Sequence, residues 1–231
     1  MATAADHPHL RTYGRVQSRA LKPRQAALMR TLLPRLALPA GALDPVALAA
    51  APAQPGAAEV WLEAGFGAGE HLAAQAARHP EALFIGVEPF VNGVAACLAH
   101  VDDARLANVR LHHGDVRDVI ERLPDASVGR LYILFPDPWP KTRHKKRRLI
   151  QADFIAGAAR VMKPGAVLRF ATDWADYADW TLERFLASAA FRWTAGRADD
   201  WRRPWADHVA TRYEAKRLGD CAPIWLEFER V

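Results

Sequence analysis

The chain has 231 residues, 51% of them hydrophobic and 25% charged, with a net charge of +5, a composition that excludes a disordered chain and allows a sizeable core, most simply in one domain. No apolar run approaches the ~20 residues of a membrane-spanning helix, and the N-terminus, with Asp6, His7 and Pro8, lacks the apolar centre of a signal peptide, so a cytoplasmic protein without a membrane partner is expected. Cys97 and Cys221 are too few and too far apart for a disulfide framework or a zinc site, and no metal is expected.

Residues 11–30 carry Arg11, Arg15, Arg19, Lys22, Arg24 and Arg30 and no acid, which marks residues 1–36 as a basic N-terminal arm, helical from about Arg24 to Leu36. Residues 37–58 are rich in Ala and Pro. Pro39, Pro45, Pro52 and Pro55 oppose a helix there, so this stretch reads as a linker or surface loop leading to the body of the chain at 59–231. The body alternates strongly. Apolar runs at Val60–Ala64, Leu83–Val87 and Val109–Leu111 are separated by helical patterns at Glu70–Arg78 and Phe90–His100. A buried strand at Val128–Phe135 follows, then a helix at Ile150–Met162 stopped by Lys163-Pro164-Gly165 and a strand at Ala166–Ala171. Another helix at Tyr177–Ala187 and a period-two strand at Ile224–Phe228 complete the pattern. These elements predict a doubly wound α/β fold with a mostly parallel, seven-stranded, Rossmann-like sheet.

Between two of these elements lies the most distinctive segment, Phe135 to Arg148. Prolines at 136, 138 and 140 push the residue before each toward extended geometry, so Asp137 and Trp139 are kept out of a helix and Asp137 is presented to solvent. Behind it stand Lys141, Arg143, Lys145, Lys146, Arg147 and Arg148, with His144 among them and no acid. With six cations here and six in 11–30, the remaining residues are acidic in sum, the pattern of a protein that grips a nucleic-acid backbone at defined places.

Ligands of such sheets lie beyond the carboxyl ends of the strands, and five strand ends here offer an acid: Glu63, Glu88, Asp115, Asp137 and Asp173. Gly65, Gly67 and Gly69 follow the first strand and let the chain turn tightly under a ligand. A dinucleotide site is the obvious alternative, but the spacing is Gly-x-Gly-x-Gly and Glu63 would set a negative charge beside a diphosphate. An acid there suits the ammonium and sulfonium of S-adenosylmethionine. Glu88 is placed to accept from ribose hydroxyls and Asp115 from an adenine amino group. His112 and His113 have no third ligand at metal spacing and read as structural. Trp174, Trp180, Trp193 and Trp225 read as core, whereas Trp139, Trp201 and Trp205 are open between packing and contact with RNA.

Leu62 to Gly69, Gly86-Val87-Glu88, Phe135 to Lys141 with Arg143 to Arg148, Ala171 to Trp174 and Thr211-Arg212-Tyr213-Glu214 together resemble the bacterial tRNA (guanine-N7-)-methyltransferase family, in order through most of the chain. The resemblance implies a class I methyltransferase fold, S-adenosylmethionine as donor and the variable-loop guanine of tRNA, position 46, as acceptor. It implies donor contacts at Glu63, Glu88, Asp115 and Asp137, with Asp137 also the active-site residue. It further implies substrate contacts at Lys141, Asp173, Thr211, Arg212, Tyr213 and Glu214, and RNA contacts from Arg143 to Arg148. Ala64 and Arg212 depart from the larger aliphatic residue and the lysine more usual in that family, and residues 37–58 have no clear counterpart. Guanine N7 carries a lone pair and no proton, so methyl transfer to it needs no general base. Asp137, Asp173 and Glu214 then compete for the guanine N1–H and amino group. A nicotinamide-dependent reductase and a non-catalytic RNA-binding protein are the rival readings, and monomer or homodimer is left open.

Overall fold

The structure is a computed structural model and describes residues 13, 14, 16–49 and 59–231. Among the described residues, three short helices, α1 (Pro23–Thr31), α2 (Leu33–Leu36) and α3 (Pro45–Ala49), precede the sheet. Then follow β1 (Glu59–Ala64), α4 (Glu70–Arg78), β2 (Ala82–Val87), α5 (Val91–Asp103), β3 (Val109–His112), α6 (Val116–Arg122) and β4 (Val128–Leu134). A 3-10 turn at Thr142–Arg147 leads to α7 (Ala152–Val161), β5 (Met162–Thr172), α8 (Ala175–Leu186), β6 (Phe191–Trp193), α9 (Asp199–Arg202), α10 (Arg212–Lys216) and β7 (Ile224–Arg230).

The seven strands lie in the order β3-β2-β1-β4-β5-β7-β6, parallel from β3 to β5, with β7 antiparallel to both of its neighbours. The order reverses between β1 and β4, and a crevice opens at such a reversal. The loops after β1 and β4, which carry the glycines and Asp137, therefore face each other across it.

Both faces of the sheet are covered, so the central strands are apolar on both sides. Leu62, Ile85, Leu131, Ile133 and Phe170 pack with Val119, Phe154 and Phe185 on one face, while Trp61, Phe84, Tyr132 and Leu134 pack with Leu72 and Leu98 on the other. The arm joins this second layer through buried Leu28 and Leu36, and Arg24 pairs with Asp102 and Asp103 at the end of α5.

Several expectations shift in detail. The stretch read as a linker is packed in its described part: Ala37 bridges Leu111, the Leu38 N–H donates to the Leu111 carbonyl at 3.1 Å, and Leu43 and Leu48 are buried in the core. Pro45 starts a helix instead of breaking one, because a proline in the first turn lacks only an N–H that would be unpaired anyway, and Asp44 caps the next two N–H groups. Residues 50–58 lie outside the described residues, as do Arg11 and Arg15. Strand β5 already begins at Met162: pairing with β4 steps from Met162 to Val167, and Lys163 to Ala166 bulge out around Gly165 at φ 79°. Helix α6 and strand β6 escaped the sequence pattern because both are short.

Candidate active site between the first and fourth strands

The glycine loop is built for close approach. Gly65, Gly67 and Gly69 have φ of 75°, 57° and 81°, the left-handed region in which other residues are strained. Gly69 is also held by packing, since a Cβ there would lie 2.5 Å from the Cys97 sulfur on α5. At Gly65 and Gly67 a Cβ would meet no atom and would project into open space, and both residues line a cleft of about 940 Å³.

Glu63, Glu88, Asp115 and Asp137 all line this cleft. Glu88 fixes the loop, one carboxylate oxygen accepting from the Gly67 N–H at 2.8 Å and the other from the Phe90 N–H at 2.9 Å. Burial raises its pKa to about 7 against the pull of those two N–H groups, and the charges of Asp137 and Glu63 push the same way as burial. Asp115 caps α6, accepting from the Arg117 N–H at 2.9 Å and pairing with the Arg117 guanidinium. Glu63 is buried and accepts from His71 Nδ1 at 2.8 Å. His71 had no role in the sequence pattern, because its approach to Glu63 is made across the glycine loop, from helix α4 to strand β1.

The loop after β4 is more strained than expected. Phe135 and Trp139 both take positive φ, 51° and 43°, so Trp139 is left-handed where extended geometry was expected. In this conformation Asp137 lines the cleft while the Trp139 ring faces Tyr13, His144 and Arg147. Asp137 stays solvent-accessible at the cleft, and the surrounding walls raise its pKa by desolvation. Phe135 packs against Tyr213 with ring centres 5.4 Å apart.

The basic run separates into different roles. Lys141, Arg143 and Lys146 are exposed, and His144 lies under Trp139. Lys145 pairs with Asp176 at 2.6 Å. Arg147 lies over the rings of Tyr13 and Trp139 at 5.2 and 5.0 Å. Arg148, expected among the RNA contacts, is instead buried: its guanidinium donates to the Pro138 carbonyl and to Asp176 and lies between Tyr177 and Trp180. It is a strut for the Asp137 loop, because a planar five-donor group satisfies several acceptors at once.

Thr211, Arg212 and Tyr213 line the cleft from the opposite side. Glu214 faces away from it, accepting from the Thr211 N–H at 2.8 Å in a capping box and pairing with His208 at 2.9 Å. Asp173 is buried behind the segment, accepting from the Gly219 N–H at 2.9 Å and lying 3.4 Å from the Tyr213 hydroxyl. Arg212 pairs with Glu70 at the start of α4. The arm also reaches the cleft, through Tyr13, Gly14, Ser18, Arg19 and Lys22, with Gly14 close enough that a Cβ would lie 3.1 Å from the Asp137 carboxylate. Trp201 and Trp205 both pack against the core, Trp205 edge-on to Trp225 at 5.1 Å.

A family model described as "Putative methyltransferase" matches residues 57–225. A tRNA (guanine-N(7)-)-methyltransferase of Caulobacter vibrioides is 59% identical over 230 residues, 99% of each chain, and one of Hyphomonas neptunium is 49% identical over 95% of this chain and 99% of its own. Among solved structures, the 16S rRNA (adenine(1408)-N(1))-methyltransferase of Catenulisporales acidiphilia covers 85% of this chain and 97% of its own with a TM-score of 0.55 at 22% identity, a likeness of fold. With a family model over well more than half of its length and relatives matching almost end to end, the chain belongs to the tRNA (guanine-N(7)-)-methyltransferase family.

Proposed function

We propose that this protein transfers the methyl group of S-adenosylmethionine to N7 of the variable-loop guanine, position 46, of tRNA, with the arm and the exposed basic turn holding the RNA and residues 59–231 forming the catalytic body, in the cytoplasm. The observation that carries this is the meeting of the glycine cradle and Asp137 across one cleft, with exposed Lys141, Arg143 and Lys146 on the adjoining turn. The donor fits the residues present: open space over Gly65 and Gly67, and an acid rather than a cation at Glu63, where a sulfonium and an ammonium need a partner. When bound, S-adenosylmethionine supplies an electrophilic methyl group. Glu63, Glu88 and Asp115 hold it, and the glycines admit it.

On the acceptor side, N7 has no proton to lose, so the protein's task is alignment and desolvation, worth ~7–11 kcal/mol in well-oriented systems. Asp137 is the carboxylate best suited to the guanine N1–H and amino group. Asp173 and Glu214 have their oxygens engaged by Gly219 and Tyr213, and by His208 and Thr211, and neither lines the cleft. Trp139 and Tyr213 offer aromatic faces to an extruded base. Incubating the protein with labelled S-adenosylmethionine and unmodified tRNA, then mapping the methylated nucleotide, tests the proposal; label at any other nucleotide, or none, overturns it.

Glu88 yields a prediction of its own. Removing hydrogen bonds to a charged acceptor costs roughly 1.5–3 kcal/mol, so Glu88→Ala weakens donor binding about tenfold or more in calorimetry and leaves tRNA binding largely intact. Its raised pKa adds a pH signature. Between the ordinary 4.5 and about 7 the folded chain keeps a proton that the unfolded chain has released, so this residue makes stability fall as pH rises through that window. Ligand-free wild type should therefore lose on the order of 5 °C in melting temperature relative to Glu88→Gln between pH 5 and pH 8. Parallel melting curves would refute the retained proton on Glu88.

RNA affinity should rest on the exposed cations. Replacing Lys141, Arg143 and Lys146 with alanine lowers the slope of log affinity against log salt by ~0.7–0.9 for each phosphate the turn no longer neutralises. An unchanged slope would make the turn a merely solvated surface.

A further inference from the structure

The buried pair of Glu63 and His71 continues into a chain of contacts that the transfer reaction does not by itself require. Gln75, fully buried one turn along α4, donates through Nε2 to the Asp207 carbonyl at 2.7 Å, which fixes the orientation of its amide. The same Nε2 faces His71 Nε2 at 3.4 Å, so that ring nitrogen is the acceptor and Nδ1 carries the proton donated to Glu63. The Asp207 carboxylate is itself clamped by Arg169 at 2.7 Å, and the His71 ring is wedged edge-on against Tyr132 and stacked beside His208. An imidazole in this tautomer holds one carboxylate oxygen in place, as the outer partners of metal-bound and catalytic groups do.

We infer that His71, oriented by Gln75, is a positioning residue that fixes the Glu63 carboxylate against the cationic amino-acid end of the donor. The inference rests on the reading of Glu63 as a donor contact and goes further, since it assigns the residue that sets where this charge points. Its specific consequence is selectivity within the donor molecule: the adenosine half is held elsewhere, by Glu88 and Asp115, and is indifferent to His71.

The test is calorimetric binding of S-adenosylmethionine and of 5′-methylthioadenosine, which lacks the ammonium, to wild type and variants. His71→Phe keeps an aromatic ring against Tyr132 and removes the donor; it should weaken S-adenosylmethionine about tenfold or more and methylthioadenosine less than twofold. His71→Asn places an amide N–H near the position of Nδ1 and should restore binding to within a few-fold. Glu63→Gln separates the two levels. If it leaves S-adenosylmethionine affinity unchanged, the donor reading of Glu63 fails. If it weakens binding while His71→Phe does not, or if His71→Phe weakens both ligands equally, the positioning role is overturned. Should His71→Phe not fold, equal affinity of His71→Asn and His71→Ala for S-adenosylmethionine would overturn it as well.

Discussion

Asp137→Asn should lower the single-turnover rate of tRNA methylation at least about a hundredfold, the loss of roughly 2.7 kcal/mol or more of oriented electrostatic stabilisation. The proline frame and the two left-handed aromatic residues, Phe135 and Trp139, fix this carboxylate across the cleft from the glycine cradle, so an amide in its place keeps the shape. It presents an NH2 to donors on the guanine edge, or turns its single acceptor to only one of them. Holding tRNA depends on many phosphate contacts, so tRNA affinity should change only a few-fold while the chemical step slows, the pattern of an interaction made in the transition state. At saturating donor the wild-type rate should also be nearly flat from about pH 6 to pH 8, because N7 loses no proton and no general base titrates. Near-normal methylation by Asp137→Asn would remove the residue from the mechanism.

The parallel part of the fold was legible because its strands are apolar on both faces and bounded by glycine, proline or acid. The strand Ala82–Val87, buried at every position, shows this most clearly, and the helix Glu70–Arg78 before it has the same ends in sequence and structure. Strand β6 was not legible, since three residues carry no period, and α6 is announced only by its cap, Asp115. That Glu63, Glu88, Asp115 and Asp137 line one cleft was legible because each stands at a strand end, a position fixed by topology. Arg148 was misplaced for the opposite reason. Consecutive cations in a run look alike in one dimension, and only the turn of the chain at Thr142–Arg147 decides which one faces inward. The arm's reach over the cleft through Tyr13 and Gly14 was hidden too, because the approach of residue 14 to residue 137 leaves no local pattern.

That inward arginine carries the second large effect. Arg148 is 1% exposed, and its Nε donates to the Pro138 carbonyl at 2.8 Å while its terminal nitrogens reach the Asp176 carbonyl and carboxylate. Arg148→Ala leaves the Pro138 carbonyl without its donor and opens a cavity beside Tyr177 and Trp180, each a mechanism that costs kilocalories. A loss of roughly 3 kcal/mol is expected, about 6–12 °C in melting temperature for a chain of this size. Arg148→Lys should recover little of it, because one ammonium cannot span acceptors that the planar fork reaches together. Lys146→Ala, at an exposed neighbour, should stay within about 0.5 kcal/mol of wild type. Since Pro138 follows Asp137 directly, loosening its carbonyl should also slow methyl transfer in Arg148→Ala below the melting transition, with little change in the salt dependence of tRNA binding. If instead Arg148→Ala melts like wild type and its salt slope falls by the ~0.7–0.9 that one phosphate accounts for, the side chain turns outward in solution and serves the RNA after all.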